Sequence, residues 1–78
     1  MQIVSKPLHL FSEGEKGIIK EIYLEGSIRD RIQDLGLIRD TEFTCIKKQG
    51  NKPIILIVRG AVIALRQCDA MLISAYNK

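Results

Sequence analysis

The stretch Ser27-Ile-Arg-Asp-Arg-Ile-Gln-Asp-Leu-Gly-Leu-Ile-Arg-Asp-Thr-Glu-Phe-Thr44 begins with a helical pattern and ends with a strand pattern. Ile28, Ile32 and Leu35 are spaced i, i+4 and i+7, which places three apolar side chains on one face of a helix. A helix this short is not stable alone in water. We therefore predict a helix over 27–36 whose apolar face lies on the neighbouring strands.

Capping signals stand at both ends of this predicted helix. Ser27 can accept a hydrogen bond from the first turn, and Asp30 three residues later completes a Ser-x-x-Asp capping pattern. Gly36 follows the last apolar position, where a residue in the left-handed conformation commonly ends a helix. The sequence thus predicts Ser27 as the N-cap and Gly36 as the terminator.

The composition is typical of one small globular domain. The chain has 78 residues, of which 46% are hydrophobic and 27% charged, so we expect a single domain over 1–78. Cys45 and Cys68 are too few for a disulfide framework and show no metal-ligand spacing. Two lone cysteines on apolar segments are typical of buried thiols in a reducing cytosol.

The chain carries no targeting or membrane signal. Its first residues lack the basic-then-apolar pattern of a signal peptide, and no apolar run approaches the roughly 20 residues that span a bilayer. The net charge of +3 is small, and the basic residues are not clustered as they are in a nucleic-acid binder. We expect a cytoplasmic protein that meets membranes only indirectly and binds no nucleic acid.

Most of the remaining chain has strand and turn patterns. Short apolar and β-branched runs alternate with turn residues every eight to twelve positions, which is typical of a small β-barrel or sandwich. We predict a mainly-β fold of five to six short strands, with one short helix at about 27–36 and a single helical turn near 67–70. The predicted strands cover 17–24, 41–48, 54–58, 62–66 and 71–76, after an extended N-terminal piece.

The strand Ile54-Ile-Leu-Ile-Val58 is apolar on both faces. If Ile54, Leu56 and Val58 face the interior, Ile55 and Ile57 point outward. Two interpretations stay open: the helix or a terminus covers this outer face, or it forms an exposed apolar patch. Exposed apolar patches mark interaction surfaces, so Ile55 and Ile57 are candidate partner-binding residues.

No pattern in the sequence indicates catalysis or a cofactor. The glycines do not form a phosphate-binding loop, and no Ser/His/Asp or Cys/His arrangement is present. His9 is the only histidine, and it could join Glu13 and Glu15 around a ferrous ion, but nothing holds the three at ligand spacing. We therefore predict no catalytic, cofactor-binding or metal site and no enzymatic activity.

An ordered series of residues resembles a known family. The chain, from about Leu8 to Ala75, is similar to the FeoA family, the ferrous iron transport protein A. In place of the family's usual glycine-containing turn this chain has Arg39-Asp40, and aspartate tolerates left-handed geometry. The series comprises Leu8-x-x-Phe11-x-x-Gly14, Ile19-x-x-Ile22, Arg31-x-x-x-Leu35-Gly36-Leu37, Thr41-x-Phe43, Pro53-Ile54, Gly60 and Ala64-Leu65-Arg66 with Ala70 and Ile73.

The resemblance implies an SH3-like β-barrel with an added helix. It also implies a bacterial cytosolic accessory that docks on FeoB, a membrane iron transporter with a cytosolic GTPase domain, and modulates its assembly or its GTPase and transport cycle. Arg29 and Arg31 lie on the solvent-facing side of the predicted helix, where they could bind the carboxylates of an acidic patch on that domain. A related barrel forms a domain of metal-dependent repressors. Because the chain begins at Met1 without a winged helix, we do not expect a full repressor.

Three alternatives remain at the level of sequence. A small barrel with Lys47, Lys48, Lys52, Arg59 and Arg66 along its strands could bind nucleic acid, but Phe11 and Phe43 are expected in the core and stacking needs exposed rings. Direct transition metal ion binding, as a sensor or carrier, is the second alternative. The third is a receptor for proline-rich peptides of the signalling SH3 type, although the grooves of such receptors are lined by aromatic side chains and this chain has no Trp and two Tyr. The prediction of partners also includes a weak homo-oligomer.

Overall fold

Short antiparallel strands make up most of the structure. The computed structural model describes residues 4–78. The predicted mainly-β fold is confirmed, including a helical turn at the predicted place. In chain order the elements are β1 (Ser5–Pro7), a 3-10 turn (Leu8–Leu10), β2 (Lys16–Ile22), α1 (Gly26–Asp34), β3 (Glu42–Lys47), β4 (Ile54–Val58), β5 (Ala61–Leu65), α2 (Gln67–Ala70) and β6 (Ile73–Asn77).

The six strands form one sheet in the order β1-β6-β2-β3-β4-β5, and each neighbouring pair is antiparallel. Within residues 4–78, β1 and β5 do not pair with each other, so the sheet is not closed. The small SH3-like fold therefore keeps two strand edges that a closed barrel would lack.

One face of the sheet builds the hydrophobic core. The side chains of Phe11 and Phe43 meet edge to face with their ring centroids 5.1 Å apart. Both rings reach Gly17 on β2, where an added Cβ would lie 2.6 Å from Phe43 and 2.7 Å from Phe11. The absence of a side chain at Gly17 is thus what allows the aromatic pair to pack against the sheet.

The start of α1 differs from the prediction. Ser27 is not the N-cap: the helix is preceded by Glu25, whose side chain makes no capping hydrogen bond, and begins at Gly26. Gly26 has φ +69°, a left-handed conformation that glycine adopts without steric cost. This glycine turns the chain into the helix one residue early, which places Ser27 inside the first turn rather than in front of it.

The end of α1 agrees with the prediction. Gly36 has φ +104°, its N–H donates to the carbonyl of Gln33 at 3.0 Å, and the N–H of Leu37 donates to the carbonyl of Ile32 at 3.2 Å. These two bonds define a Schellman motif. Leu37 and Ile32 are both buried, which supplies the apolar contact that accompanies the motif.

The apolar face of α1 is less covered than predicted. Ile32 is 4% exposed, but Ile28 is 37% and Leu35 is 48% exposed. All three line one groove, so they share a face as their spacing predicts. The prediction that the strands bury this whole face is wrong, because the sheet ends at β5 and no further strand lies under the helix among the described residues.

Two turns depend on left-handed residues. Asp40 has φ +68°, so the Arg39-Asp40 turn keeps the geometry expected for it. Arg59 and Gly60 both have positive φ and form a two-residue link between Val58 and Ala61, which pair directly. Positive φ at both central residues is the signature of a type I′ hairpin, whose twist matches that of the flanking strands.

Candidate protein-docking surface

The register of β4 and β5 decides which side chains of this hairpin face outward. Ile54, Leu56 and Val58 on β4 are buried, as predicted. Their neighbours Ile55 and Ile57 pair with Ala64 and Val62 of β5. These four residues (Ile55, Ile57, Val62 and Ala64) form the face we call the outer hairpin face, and none of them is charged or polar.

The outer hairpin face is open to solvent. Ile57 is 37% and Val62 is 66% exposed, while Ile55 is half-buried. Of the two interpretations left open by the sequence, an exposed patch is therefore the one observed. Large contiguous apolar patches on soluble domains commonly mark contacts with other molecules, which makes the outer hairpin face a candidate for such a contact.

Basic residues border the outer hairpin face on two sides. Ile55 and Ala64 line a groove of about 240 Å³ together with Lys47 and Lys52. Ile57 lines a second groove of about 510 Å³, which also contains Lys16, Arg59 and Lys78 beside Asp40 and Glu42. Lys78 is paired with Glu42, and this hydrogen bond and charge lower the pKa of the Glu42 carboxyl. An apolar centre with a predominantly basic rim suits a partner that combines apolar and acidic side chains.

The two arginines predicted for partner binding lie on α1. Arg31 lines a third groove, of about 460 Å³, between α1 and β5, whereas Arg29 lies exposed on the same helix. Ala64 lines both this groove and the groove of Ile55. Arg31 therefore lies next to β5, the strand that carries Val62 and Ala64 of the outer hairpin face. It lies on the side of β5 that pairs with no other strand within residues 4–78.

Val62 and Ala64 were not among the residues predicted from the sequence. The available signal was the pattern of β5 itself, since burial of Ile63 and Leu65 turns Val62 and Ala64 outward. What the sequence does not reveal is that β5 is an edge strand, because strand order depends on pairings between distant segments.

The acidic residues near the only histidine do not assemble around it as metal ligands. The Glu15 carboxylate accepts hydrogen bonds from Lys6 at 2.8 Å and from the Ser12 N–H at 3.0 Å. Burial raises the pKa of Glu15, but these bonds and the Lys6 charge outweigh it and lower that pKa overall. No group of three or more His, Cys, Asp or Glu side chains able to hold a metal occurs within residues 4–78.

The two cysteines have different environments. Cys45 is buried in the core, and burial raises the pKa of its thiol, which makes it unreactive. Cys68 on α2 is exposed, so the prediction of two buried thiols is wrong for this residue. The helical turn at 67–70 buries Ala70 instead, because a single turn offers the core only one position.

In the described part of the chain, no helix has the length and apolar character needed to cross a membrane. Against models of protein families, residues 6–76 match the FeoA domain. The chain belongs to the FeoA domain family. Membership implies a role in ferrous iron transport. No curated protein sequence matches the chain significantly.

Solved structures of FeoA proteins share this fold. An iron uptake regulatory protein (FeoA) is 25% identical, with a TM-score of 0.87, and the match covers 96% of this chain and all of that one. A FeoA-like protein from Clostridium acetobutylicum is 29% identical over 96% of this chain and 87% of its own, with a TM-score of 0.79.

A manganese-dependent transcriptional repressor contains a similar domain. The match has a TM-score of 0.87 at 14% identity and covers all of this chain but 44% of the repressor. At this level of identity the likeness concerns the fold alone. The FeoA fold is therefore also used as one domain of a larger protein.

Proposed function

We propose that this FeoA-family protein is a non-enzymatic cytoplasmic accessory of ferrous iron transport, acting as a single domain over residues 1–78. It docks on the cytosolic GTPase domain of a FeoB-like membrane transporter and modulates the assembly or the GTPase and transport cycle of that transporter. The observation that supports docking is the outer hairpin face, an exposed apolar surface with basic residues around it.

The four predicted partner-binding residues have distinct roles in this proposal. Ile55 and Ile57 supply apolar contact area, which contributes most of the affinity of a protein interface. Arg29 and Arg31 supply positive charge, which increases the association rate and discriminates among partners. The arginine contribution should weaken as ionic strength rises, because salt screens charges that are exposed to solvent.

The direct test measures association of the purified protein with the purified cytosolic domain of a FeoB-like transporter, by calorimetry. Ile57→Asp introduces a charge into the outer hairpin face and should lower the affinity at least tenfold, about 1.4 kcal/mol. Tyr23→Asp is the matched control, since Tyr23 is a 62% exposed aromatic side chain that lines neither the grooves beside the outer hairpin face nor the α1–β5 groove.

A cellular measurement completes the test. Cells that lack this protein should take up ferrous iron more slowly, and the Tyr23→Asp variant but not the Ile57→Asp variant should restore uptake. Normal uptake without the protein, together with no association in vitro, would refute the accessory role. Equal binding by both variants would show that docking uses another surface.

A further inference from the structure

Strand β5 has an edge that lacks the usual protections against pairing. Its sequence is Ala-Val-Ile-Ala-Leu, without a charge or a proline, and its pairing with β4 runs through all five residues without a bulge. Natural proteins normally protect edge strands with charged residues, proline, bulges or short length. An unprotected edge of this kind is the template for strand addition, in which an extended peptide joins a sheet.

The register identifies the backbone groups at this edge. In a two-residue hairpin, the pair that closes the turn exchanges hydrogen bonds, and bonded and non-bonded pairs then alternate. Ala61, Ile63 and Leu65 therefore direct their N–H and C=O groups to β4, and Val62 and Ala64 direct theirs outward. No other strand pairs with β5 in the part of the chain that the structure describes.

A groove of about 460 Å³ runs along this edge, with β5 as one wall and α1 as the other. The α1 wall presents Ile28 and Leu35, which are 37% and 48% exposed. An added strand would place alternate side chains on this wall, while its other side chains would extend the outer hairpin face. One side of the added strand would thus meet the apolar wall of α1, while the other side would stay exposed to solvent beside Val62 and Ala64.

The charges of the groove select the kind of segment that fits. Arg66 is paired with Asp69 at 3.0 Å, and this partner raises the pKa of Arg66. Arg31 takes part in no ion pair or side-chain hydrogen bond among residues 4–78. A carboxylate on the incoming segment would complement this guanidinium.

A second copy of the chain fits the edge less well. Antiparallel pairing of two β5 strands centred on Ile63 would use Val62 and Ala64 of both copies. It would also set Arg66 of each copy beside the Arg59-Gly60 turn of the other, which brings basic residues of both copies together at each end, where Asp69 offsets only the charge of Arg66. Opposed like charges destabilise strand pairs, so charge favours an acidic partner over self-association.

We propose that β5 accepts an extended, apolar segment of a partner protein that carries a carboxylate, and that this segment adds a strand in the α1–β5 groove. Val62 and Ala64 supply the backbone hydrogen bonds, Ile28 and Leu35 the apolar contacts, and Arg31 the charge. The proposal deepens the docking function above and rests on it for the identity of the partner. It differs in naming a backbone contact rather than a side-chain surface.

The first experiment selects binders from a library of phage-displayed random octapeptides, using the purified full chain as bait. Selected peptides should alternate apolar residues with other residues and should contain more aspartate and glutamate than the unselected library. With the Arg31→Glu variant as bait, this acidic preference should disappear. Failure to enrich any peptide, or enrichment of peptides with helical spacing, would overturn the proposal.

The second experiment uses the most enriched octapeptide with isotope-labelled protein. The amides of Val62 and Ala64 should shift and become protected from hydrogen exchange. Val62→Pro removes an outward N–H without touching a bond to β4 and should weaken binding about tenfold, the effect of losing one to two net hydrogen bonds. Val62→Thr keeps the N–H and should bind within about twofold of the original.

A modified peptide provides a test that does not depend on whether the Val62→Pro variant folds. N-methylation of the peptide amides that would pair with β5 should abolish binding to the unaltered protein. Equal binding of the methylated peptide, or a dimer of the chain that Val62→Pro dissociates, would overturn the proposal. Neither experiment contains the transporter. If octapeptides bind β5 while the transporter domain does not associate, the docking function fails and strand addition stands.

Discussion

The two edge strands of the sheet, β1 and β5, differ in length, in charge and in proline content. β1 has three residues, including a lysine and a proline, whereas β5 has five uncharged residues without proline. Lys6 on β1 is bound to Glu15 at 2.8 Å and lies 4.6 Å from the centre of the Phe11 ring. Among residues 4–78, no ion pair involves the five residues of β5, and the free edge of this strand faces the α1–β5 groove.

This difference is the reason why we propose β5, and not β1, as the docking edge. Proteins keep an edge strand from pairing by making it short, by placing proline in it, or by directing a charged side chain inward. All three features occur on β1. An unprotected edge such as β5 favours pairing between chains, and the strand addition that we propose would cover this edge.

The largest effect expected from a single substitution lies at the β1 end. Phe11 is fully buried against Phe43 beneath β2. Phe11→Ala should lower the free energy of unfolding by about 3–5 kcal/mol, from lost burial and the cavity left behind. A loss of this size would leave a small domain only marginally stable, and urea denaturation measures it. Val62→Ala at the other edge should change it by less than about 0.5 kcal/mol.

Equal losses from these two truncations would contradict the contrast between the edges. They would mean that the β5 edge is packed as tightly as the Phe11 site.

A second test compares two glycines near the β1 end. Gly17→Ala would place a Cβ 2.8 Å from the Tyr76 carbonyl oxygen and still closer to the two phenylalanine rings, so overpacking should cost about 2–3 kcal/mol. Gly14→Ala meets nothing within 4 Å but forces alanine to φ +84°, which should cost about 1 kcal/mol.

Thermal unfolding of both variants measures this difference. A smaller loss for Gly17→Ala than for Gly14→Ala would show that the aromatic pair shifts easily, and hence that the β1 end is not rigidly packed.

The ion pair at β1 predicts a dependence on pH. Because the pKa of Glu15 is lowered in the folded protein, its ionised carboxylate stabilises the fold above about pH 4.3, the usual glutamate pKa. This stabilisation disappears as the pH falls through the lower pKa of the folded state. Glu15→Gln should cost about 1 kcal/mol near pH 7 and much less at about pH 3.

The control for this pair is Glu13→Gln, an exposed acidic residue of the same loop, which should cost under about 0.5 kcal/mol at either pH. A loss for Glu15→Gln that does not change with pH, followed by urea denaturation, would rule out the ion pair as its cause.

The smallest effect on stability is expected at the β5 edge. Val62→Lys adds to β5 the protection that Lys6 gives β1, at a side chain that is 66% exposed. It should change the free energy of unfolding by less than about 0.5 kcal/mol. It should also lower the tendency to aggregate at high concentration, measured by light scattering, because an edge lysine disfavours pairing between chains. Unchanged aggregation would show that β5 is not the reactive edge.

Local sequence determined the elements and most of their ends. Gly36 ends the helix, Asp40 holds a left-handed turn, and Arg59-Gly60 closes a hairpin, because each depends on backbone geometry within a few residues. The outward direction of Ile55 and Ile57 followed from the two-residue period of a strand. These features were predictable because the residues that decide them are adjacent in the chain.

Only the tertiary structure decided which strands are edges and what the helix covers. Strand order joins segments far apart in sequence, such as β1 with β6, and no local pattern specifies that choice. The same strand order ends the sheet at β5 and leaves Ile28 and Leu35 partly exposed in the α1–β5 groove, although their spacing predicts burial. The helical period determines which side chains share a face, whereas the extent of the sheet determines whether that face is covered.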